Sequence, residues 1–176
     1  MKKVNKNEKY IKSFFINSLK RKGFDKGKIT PNQIFTDFKK NLNLKLNFTQ
    51  FKKIWASCLT GLNKDMEKLL YRLRKNYKLI LLSNTDTIHF EHCRKKYRVL
   101  DIFDDFVLSY KVGYKKPNPL IYLHTIKKAK TSPNKTAYID DIQSYVRYAG
   151  FLGIKGIKYK NIQKLKTDLK KLNIEI

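Results

Sequence analysis

The stretch that decides the fold is TAYIDD, residues 136–141, in which a short apolar run leads directly into two adjacent carboxylates. An unbroken apolar run of this length is typical of a parallel strand that is buried on both faces. The carboxyl end of such a strand opens into the crevice where α/β sheets bind their ligands. Asp140 and Asp141 would repel each other there unless a cation or a proton separated them, and their oxygen atoms suit Mg²⁺. The simpler alternative is a strand end with two solvated aspartates.

Around this stretch, short aliphatic runs alternate with segments of helical length. Strands are predicted at 78–82, 106–109, 136–139 and 154–159, and helices at 65–75, 87–97, 119–130, 143–152 and 161–172. Strands that are separated by helices form parallel βαβ units. We therefore expect residues 62–176 to form an α/β, Rossmann-like parallel sheet with helices on both faces.

The first third of the chain has a purely helical pattern. Residues 8–22 carry apolar side chains at helical spacing, and TPNQ (30–33) and NFTQ (47–50) have the form of capping boxes that start two further helices. Aromatic residues at helical spacing are most simply a hydrophobic core. We expect residues 1–61 to form a small helical unit with its own aromatic core.

The composition limits the classes of function. The chain has 40 Lys and Arg residues against 14 Asp and Glu residues, a formal charge of +26, so nonspecific and salt-dependent binding of polyanions is expected. Most of this charge is lysine, whereas readers of nucleic-acid sequence favour arginine. Two cysteines in dissimilar segments favour a reduced, cytoplasmic protein. No apolar run is long enough for a signal peptide or a membrane span, so no membrane partner is expected.

Two other segments place chemically useful side chains beside the predicted sheet. The strand at 78–82 is followed by Ser83-Asn84-Thr85, whose polar groups can hold an anion at a helix start, although a plain helix cap is the simpler interpretation. Lys116 lies in the turn GYKKPNP, residues 113–119, just before a proline that begins a helix. A lysine there can offset the charge of a phosphoryl group, although most lysines of this chain are expected on the surface.

The three segments ILLSNT, GYKKPNPLIY and YIDD, taken in this order, resemble the haloacid dehalogenase-like superfamily. The resemblance is to its phosphatase-type members with a helical cap, and it implies that residues 1–61 are that cap. It also implies that Ser83 and Asn84 bind the phosphoryl group of a small phosphorylated molecule or inorganic phosphate, with Lys116 as the catalytic lysine. Asp140 and Asp141 would then be the ligands of Mg²⁺.

The chain departs from the family pattern in its first motif. The family places an aspartate nucleophile at the end of a central first strand, and no such strand is evident before the helical unit, since Asp25 follows a glycine turn and Asp37 lies within a helix. We therefore expect an incomplete core, a weak or vestigial Mg²⁺ site and no significant activity. The open strand edges should pair directly or accept a strand from another chain, which would cause self-association. Tyr145 also stands where the family often has a polar residue.

Several alternatives stay open at this point. His89, His92 and Cys93 share one predicted helix and could suggest a transition-metal site, but ordinary helix residues are the better interpretation because no further ligand is evident. The chain could also be a noncatalytic binding protein that keeps the fold. A nucleic-acid-binding module driven by charge ranks last, because no recognised reading motif is present.

Overall fold

The computed structural model describes residues 23–42 and 45–176. In these ranges the helices and strands are, in chain order, α1 (Pro31–Leu42), α2 (Phe48–Ala56), α3 (Lys64–Leu73), β1 (Ile80–Ser83), α4 (Thr87–Lys96), β2 (Asp105–Leu108), α5 (Ser109–Val112), α6 (Pro119–Ala129), β3 (Ala137–Asp140), α7 (Gln143–Phe151), β4 (Lys155–Lys158) and α8 (Ile162–Lys171). Short 3-10 helices occupy Phe24–Lys26, Arg98–Ile102 and Pro133–Lys135. The helix expected at 8–22 lies outside the described residues. In the part of the chain that is described, no helix is both long and apolar enough to cross a membrane.

The element boundaries follow the sequence closely. Each of the four strands, and each helix expected after residue 63, begins and ends within two residues of its predicted bounds. The four-residue helix α5 has no counterpart in the prediction, because it is too short to show a helical period. The α/β class expected from the sequence is thus confirmed.

Side-chain caps explain why α1 and α2 begin where they do. The Thr30 backbone N–H donates to the Gln33 side chain at 2.7 Å, and the Gln33 N–H donates to the Thr30 hydroxyl at 3.2 Å. Asn47 and Gln50 make the same reciprocal pair, both at 2.9 Å. Each box satisfies backbone donors that the first helical turn leaves without intrahelical partners.

The helical unit is built on aromatic packing and is docked on the α/β part. Its buried cluster joins the first two helices to one residue of α4; the members are Phe24, Ile34, Phe38, Phe51, Trp55 and Ile88. Gly27 lies against α5 so closely that a Cβ atom there would be 2.1 Å from the Tyr110 carbonyl oxygen. The helical unit therefore shares part of its core with the α/β part, and the division at residue 61 stays a prediction.

The strands form two parallel pairs. β1 pairs with β2 in the register Ile80 to Asp105, and β3 pairs with β4 in the register Ala137 to Lys155. Gly156 lets α7 pack directly over β4, since a Cβ atom at this position would lie 2.7 Å from a Val146 methyl carbon and 2.8 Å from the Val146 carbonyl oxygen. Both pairs run parallel, as βαβ connections require.

Helices cover both faces of these strands. One hydrophobic cluster unites α6 and α7 with Tyr138 of β3 and Val107 of β2. The other unites α3 and α8 with Ile139 of β3 and Ile157 of β4. Tyr138 and Ile139 are adjacent, so their opposite directions follow from the two-residue period of a strand. The three-layer arrangement expected from the sequence is present.

The facing edges of β1 and β3 do not pair. Among the described residues β1 pairs with β2 alone and β3 with β4 alone, so direct closure of the sheet, one of the two outcomes expected from the sequence, is wrong for this part of the chain. A cavity of about 570 Å³ is lined by residues of both strands, including Ile80, Leu82, Ala137 and Ile139. Strand donation and self-association through these edges stay predictions.

Candidate active site

The sequence-predicted site residues converge at the carboxyl ends of β1 and β3. Ser83 is the last residue of β1, and Asp140 is the last residue of β3. Lys116 comes from the turn between α5 and α6 and reaches both strands. Its Nζ donates to the Leu82 carbonyl oxygen at 3.2 Å and to Oδ2 of Asp140 at 2.6 Å. Lys116 therefore joins the two sheets at the point where the strands end.

Lys116 is a buried ammonium. The residue is only 8% exposed, which is unusual for a lysine in a chain so rich in surface lysines. Its Nζ lies 5.3 Å from the centre of the Tyr145 ring and 5.7 Å from that of the Tyr138 ring. The Asp140 carboxylate and the two ring faces compensate for part of the hydration that the ammonium gives up.

Asn84 fixes the backbone that carries Lys116. The Lys116 N–H donates to the Asn84 side-chain oxygen at 2.7 Å, and the Asn84 amide donates to the Lys116 carbonyl oxygen at 3.0 Å. The same amide lies 3.4 Å from the Tyr145 hydroxyl. These bonds give Asn84 and Tyr145 a positioning role that the sequence pattern did not indicate, because their partners are distant in the chain.

Asp140 is the most heavily engaged carboxylate of the site. Its Oδ2 accepts from Lys116 and, at 2.5 Å, from the Tyr138 hydroxyl, and its Oδ1 accepts from the Ile142 N–H at 2.9 Å. Burial by itself raises the pKa of Asp140, but the hydrogen bonds from Lys116, Tyr138 and Ile142 outweigh it and lower the pKa below its ordinary value. Asp140 is therefore held as a carboxylate.

Tyr138 supports this carboxylate and was missed at the sequence level. Burial, followed by its hydrogen bond to Asp140 and that residue's charge, raises the pKa of Tyr138, so the hydroxyl stays protonated and donates. Residues i and i+2 of a strand point to the same face, so the spacing of Tyr138 and Asp140 in YIDD was the available signal.

Asp141 differs from its neighbour because it is exposed. It lines a shallow, open cavity of about 400 Å³ together with Asn63, Asp140 and Tyr159. The oxygen-only chemistry of Asp140 and Asp141 fits Mg²⁺. However, Oδ2 of Asp140 already accepts from two donors, and no group of three or more His, Cys, Asp or Glu side chains in the described ranges is placed to hold a metal. These two residues can hold a magnesium ion that keeps most of its water.

The loop after β1 is held by Ser109, the first residue of α5. The Ser109 hydroxyl donates to the Thr85 carbonyl oxygen at 2.9 Å and accepts from the Thr85 N–H at 3.0 Å, and Ser109 is fully buried. These two hydrogen bonds fix the backbone just after Ser83. Ser83 itself is half-buried at the end of the strand. Ser83 is thus followed by a segment whose backbone is hydrogen-bonded to Ser109.

Two of the residues considered for a transition-metal site, His89 and Cys93, have environments formed by other side chains of the protein. His89 Nδ1 lies 2.6 Å from Oδ2 of Asp86, a carboxylate that also accepts from the Trp55 indole at 3.0 Å. Cys93 is half-buried on the same helix, and burial raises the pKa of its thiol more than nearby Lys96 lowers it. Asp86 was not singled out from the sequence, although its position before α4 is typical of a helix cap.

Comparison with protein families gives a match over more than half of the chain. A family model described as a haloacid dehalogenase-like hydrolase matches residues 47–144. These residues include β1, the Lys116 turn and β3, and therefore Ser83, Asn84, Lys116, Tyr138, Asp140 and Asp141.

Comparison with individual proteins agrees with the family match. The chain is 27% identical to a D-ribitol-5-phosphate phosphatase of Bacteroides thetaiotaomicron over 145 residues, which cover 78% of this chain and 69% of the relative. It is 26% identical to a sesquiterpene phosphatase of Aspergillus oryzae over 145 residues, covering 81% and 73%. The two names describe very different substrates, so they indicate a reaction class more than a substrate.

Solved structures resemble the whole described architecture. A haloacid dehalogenase family enzyme from Bacteroides thetaiotaomicron superposes with a TM-score of 0.77 at 30% identity, covering 89% of this chain and 79% of that one. The wild-type form of that enzyme in complex with magnesium and inorganic phosphate gives a TM-score of 0.75 at 30% identity, covering 87% and 84%.

Proposed function

Because the chain belongs to the haloacid dehalogenase-like hydrolases, we propose that it is a magnesium-dependent, phosphatase-type protein that binds a small phosphorylated molecule. The phosphatases among its relatives and the related enzyme with bound magnesium and phosphate support this function. The noncatalytic binding protein and the nucleic-acid module find no comparable support.

The observation that carries the proposal is the hydrogen bonding of Lys116. An ammonium has three N–H donors, and two of them point to the Leu82 carbonyl oxygen and the Asp140 carboxylate. The third is available to a phosphoryl oxygen at the carboxyl ends of the strands. A cation that is fixed before the ligand arrives, and shielded from water, stabilises phosphoryl charge more strongly than a mobile surface lysine does.

The other residues of the site would bind the phosphoryl group, position Lys116 and hold magnesium. Ser83 at the end of β1 would donate its hydroxyl to the phosphoryl group, and Asn84 would serve it by holding the Lys116 backbone. Asp140 and Asp141 would hold magnesium, which supplies further charge compensation to the phosphoryl oxygens. With Oδ2 of Asp140 committed to Lys116 and Tyr138, we expect the ion to bind weakly.

We further propose that turnover by this 176-residue chain alone is slow. In the described ranges, the acidic residues at the carboxyl end of a strand are Asp140 and Asp141, and Asp140 is held by three donors. A carboxylate that is engaged in this way is a poor nucleophile. The chain would then hold phosphate more readily than it hydrolyses its esters.

The test measures phosphate binding and turnover separately. Calorimetry with inorganic phosphate and Mg²⁺ should show saturable binding that Ser83→Ala weakens about tenfold, since a hydrogen bond to a charged group is worth ~1.5 kcal/mol. Ser132→Ala, at an exposed turn, is the matched control and should leave the affinity unchanged. An equal affinity of Ser83→Ala and the wild type would reject the pocket.

Hydrolysis of an aryl phosphate in the presence of Mg²⁺ tests turnover. We expect a rate well below about 1 s⁻¹, the lower end of ordinary enzyme rates. Enzyme-like rates would refute the proposed slow turnover and leave the phosphate pocket in place, because the binding measurement is independent of the reaction.

A further inference from the structure

Three side chains between α2 and α4 form a network outside the strand-end site. His89 Nδ1 lies 2.6 Å from Oδ2 of Asp86, and His89 Nε2 lies 3.2 Å from the Cys58 sulfur. Asp86 is only 1% exposed and His89 is partly buried, whereas Cys58 is exposed. A nucleophile, a base and a carboxylate that orients the base are thus in contact in that order.

The hydrogen bonds of His89 to Asp86 and to Trp55 are both made when its two ring nitrogens donate. Nδ1 faces the Asp86 carboxylate, and Nε2 lies 2.9 Å from the Trp55 carbonyl oxygen. A carboxylate and a carbonyl oxygen only accept hydrogen bonds, so the arrangement fits the doubly protonated imidazolium. Burial by itself lowers the pKa of His89, but the hydrogen bond and charge of Asp86 outweigh it, and the pKa is raised.

An imidazolium 3.2 Å from sulfur favours the thiolate form of a cysteine. The surrounding charge acts in the same direction. A cleft of about 460 Å³ next to Cys58 is lined by Ser57 and Leu59 and by more basic than acidic groups; its titratable members are Lys52, Lys53, Glu91, His92, Lys95, Lys96 and Tyr97. Tyr110 also lies close enough to Asp86 and Glu91 to be affected by their charge.

We propose that Cys58 is a nucleophilic thiolate, paired with His89 and oriented through Asp86, and that it is a site of covalent modification by small soft electrophiles. In such a step the sulfur lone pair forms a new bond to the electrophile as the bond to the leaving group breaks. With iodoacetamide the S–C bond forms, the C–I bond breaks, and iodide departs with the bonding electrons. The thiolate charge passes to iodide, and His89 keeps its proton.

The second cysteine of the chain provides an internal control. Cys93 is half-buried, and burial raises the pKa of its thiol. In the described part of the chain Cys93 makes no hydrogen bond to a histidine. It belongs to the same molecule as Cys58, so reagent, temperature and folding are identical for the two sulfurs. The proposal predicts a large difference between them at low pH.

Iodoacetamide labelling, followed residue by residue with peptide mass spectrometry, tests the thiolate. At pH 6.5 Cys58 should react at least tenfold faster than Cys93, and its rate should change little between pH 6.5 and pH 8.5. An ordinary thiol with a pKa near 8.5 changes its thiolate fraction, and hence its rate, roughly fiftyfold over this range. A Cys58 rate that rises in that ordinary way would overturn the proposal, because it is the behaviour of a neutral thiol that donates to the Trp55 carbonyl oxygen, 3.3 Å away.

Two histidine variants test whether the reactivity of Cys58 comes from its ion pair with His89 or only from the exposure of its sulfur. His89→Gln keeps a side-chain donor near the Trp55 carbonyl oxygen but removes the cation, so the Cys58 rate at pH 6.5 should fall at least tenfold and become steeply pH-dependent. His92→Gln on the same helix is the matched control and should react like the wild type. An unchanged rate in His89→Gln would reject the role of His89, and if that variant does not fold, the pH profile of the wild type decides alone.

Discussion

At the scale of single residues, the contact between Lys116 and Asp140 has the largest consequences for the site. It places a cation and an anion 2.6 Å apart with both side chains less than a tenth exposed. Removing one partner of a buried pair is costly because the other charge then stays buried without compensation. Under the proposed function the same contact would also position the ammonium for a phosphoryl group, so stability and ligand binding would depend on the same pair.

The Asn variant of Asp140 should change the pH dependence of stability. The pKa of Asp140 is lowered in the folded protein, so its contribution is fully present above the unfolded value near 3.9 and is lost as the pH falls through the lower folded value. At neutral pH, Asp140→Asn should reduce the free energy of unfolding by roughly 3 kcal/mol. Urea unfolding between pH 3 and pH 7 should show this difference shrinking below about pH 4.

Asp141→Asn is the control for this experiment, because Asp141 is exposed at the neighbouring position. Its unfolding free energy should stay within about 0.5 kcal/mol of the wild type, as for most surface substitutions. A loss in Asp140→Asn that is equally large at pH 3 and pH 7 would mean that ionisation of this carboxylate is not what stabilises the fold.

At the scale of elements, the close contact of α7 and β4 depends on a glycine. Gly156→Ala would place a methyl group 2.8 Å from the Val146 carbonyl oxygen, a backbone atom that cannot rotate away. Forcing this helix and strand apart should destabilise the protein by about 1–3 kcal/mol, the usual cost of overpacking. Urea denaturation of the variant measures this loss directly.

Gly150→Ala is the matched control within the same unit. Gly150 lies in α7, and a Cβ atom there would have no neighbour within 4 Å among the described residues outside its own helix. Alanine is a better helix former than glycine, so this variant should be more stable than the wild type by up to about 1 kcal/mol. If both alanine variants changed stability in the same direction, the tight helix–strand contact would not be the cause.

At the scale of the whole molecule, the formal charge of +26 predicts weak and nonspecific binding of polyanions. Scattered lysines contact phosphates and release counterions, but they do not read bases. Unrelated DNA oligonucleotides should therefore compete equally in fluorescence anisotropy, and raising the salt from 50 to 200 mM should weaken binding on the order of tenfold or more.

Two pairs of charge reversals test whether this binding is diffuse. Lys95→Glu with Lys96→Glu alters the cleft beside α4, and Lys170→Glu with Lys171→Glu alters the end of α8. Because the charge is spread along the chain, both pairs should weaken binding to a similar extent. Weaker DNA binding in the Lys95 and Lys96 variant alone, or a strong preference for one DNA sequence, would indicate a dedicated nucleic-acid surface.

The sequence by itself determined all the strands and most of the helices of the described residues, and it indicated Ser83, Lys116 and Asp140, although it missed α5 and the role of Tyr138. Local signals sufficed, because a capping box such as Asn47 and Gln50 and an apolar run such as that before Asp140 act over a few residues. Ser83 and Asp140 were expected at the carboxyl ends of parallel strands, which lie on the same edge of a sheet. That Lys116 would belong to the same site was implied by the family resemblance of the three motifs in their order.

Only the tertiary structure decided which hydrogen-bond partners these residues have far away in the chain. The contacts of Lys116 with Leu82 and Asp140 span 34 and 24 positions, and that of Trp55 with Asp86 spans 31. No local pattern encodes such pairs, because they depend on how whole helices and strands pack. For the same reason the sequence could not predict that β1 and β3 stay unpaired, or that Cys58 meets His89 between two helices.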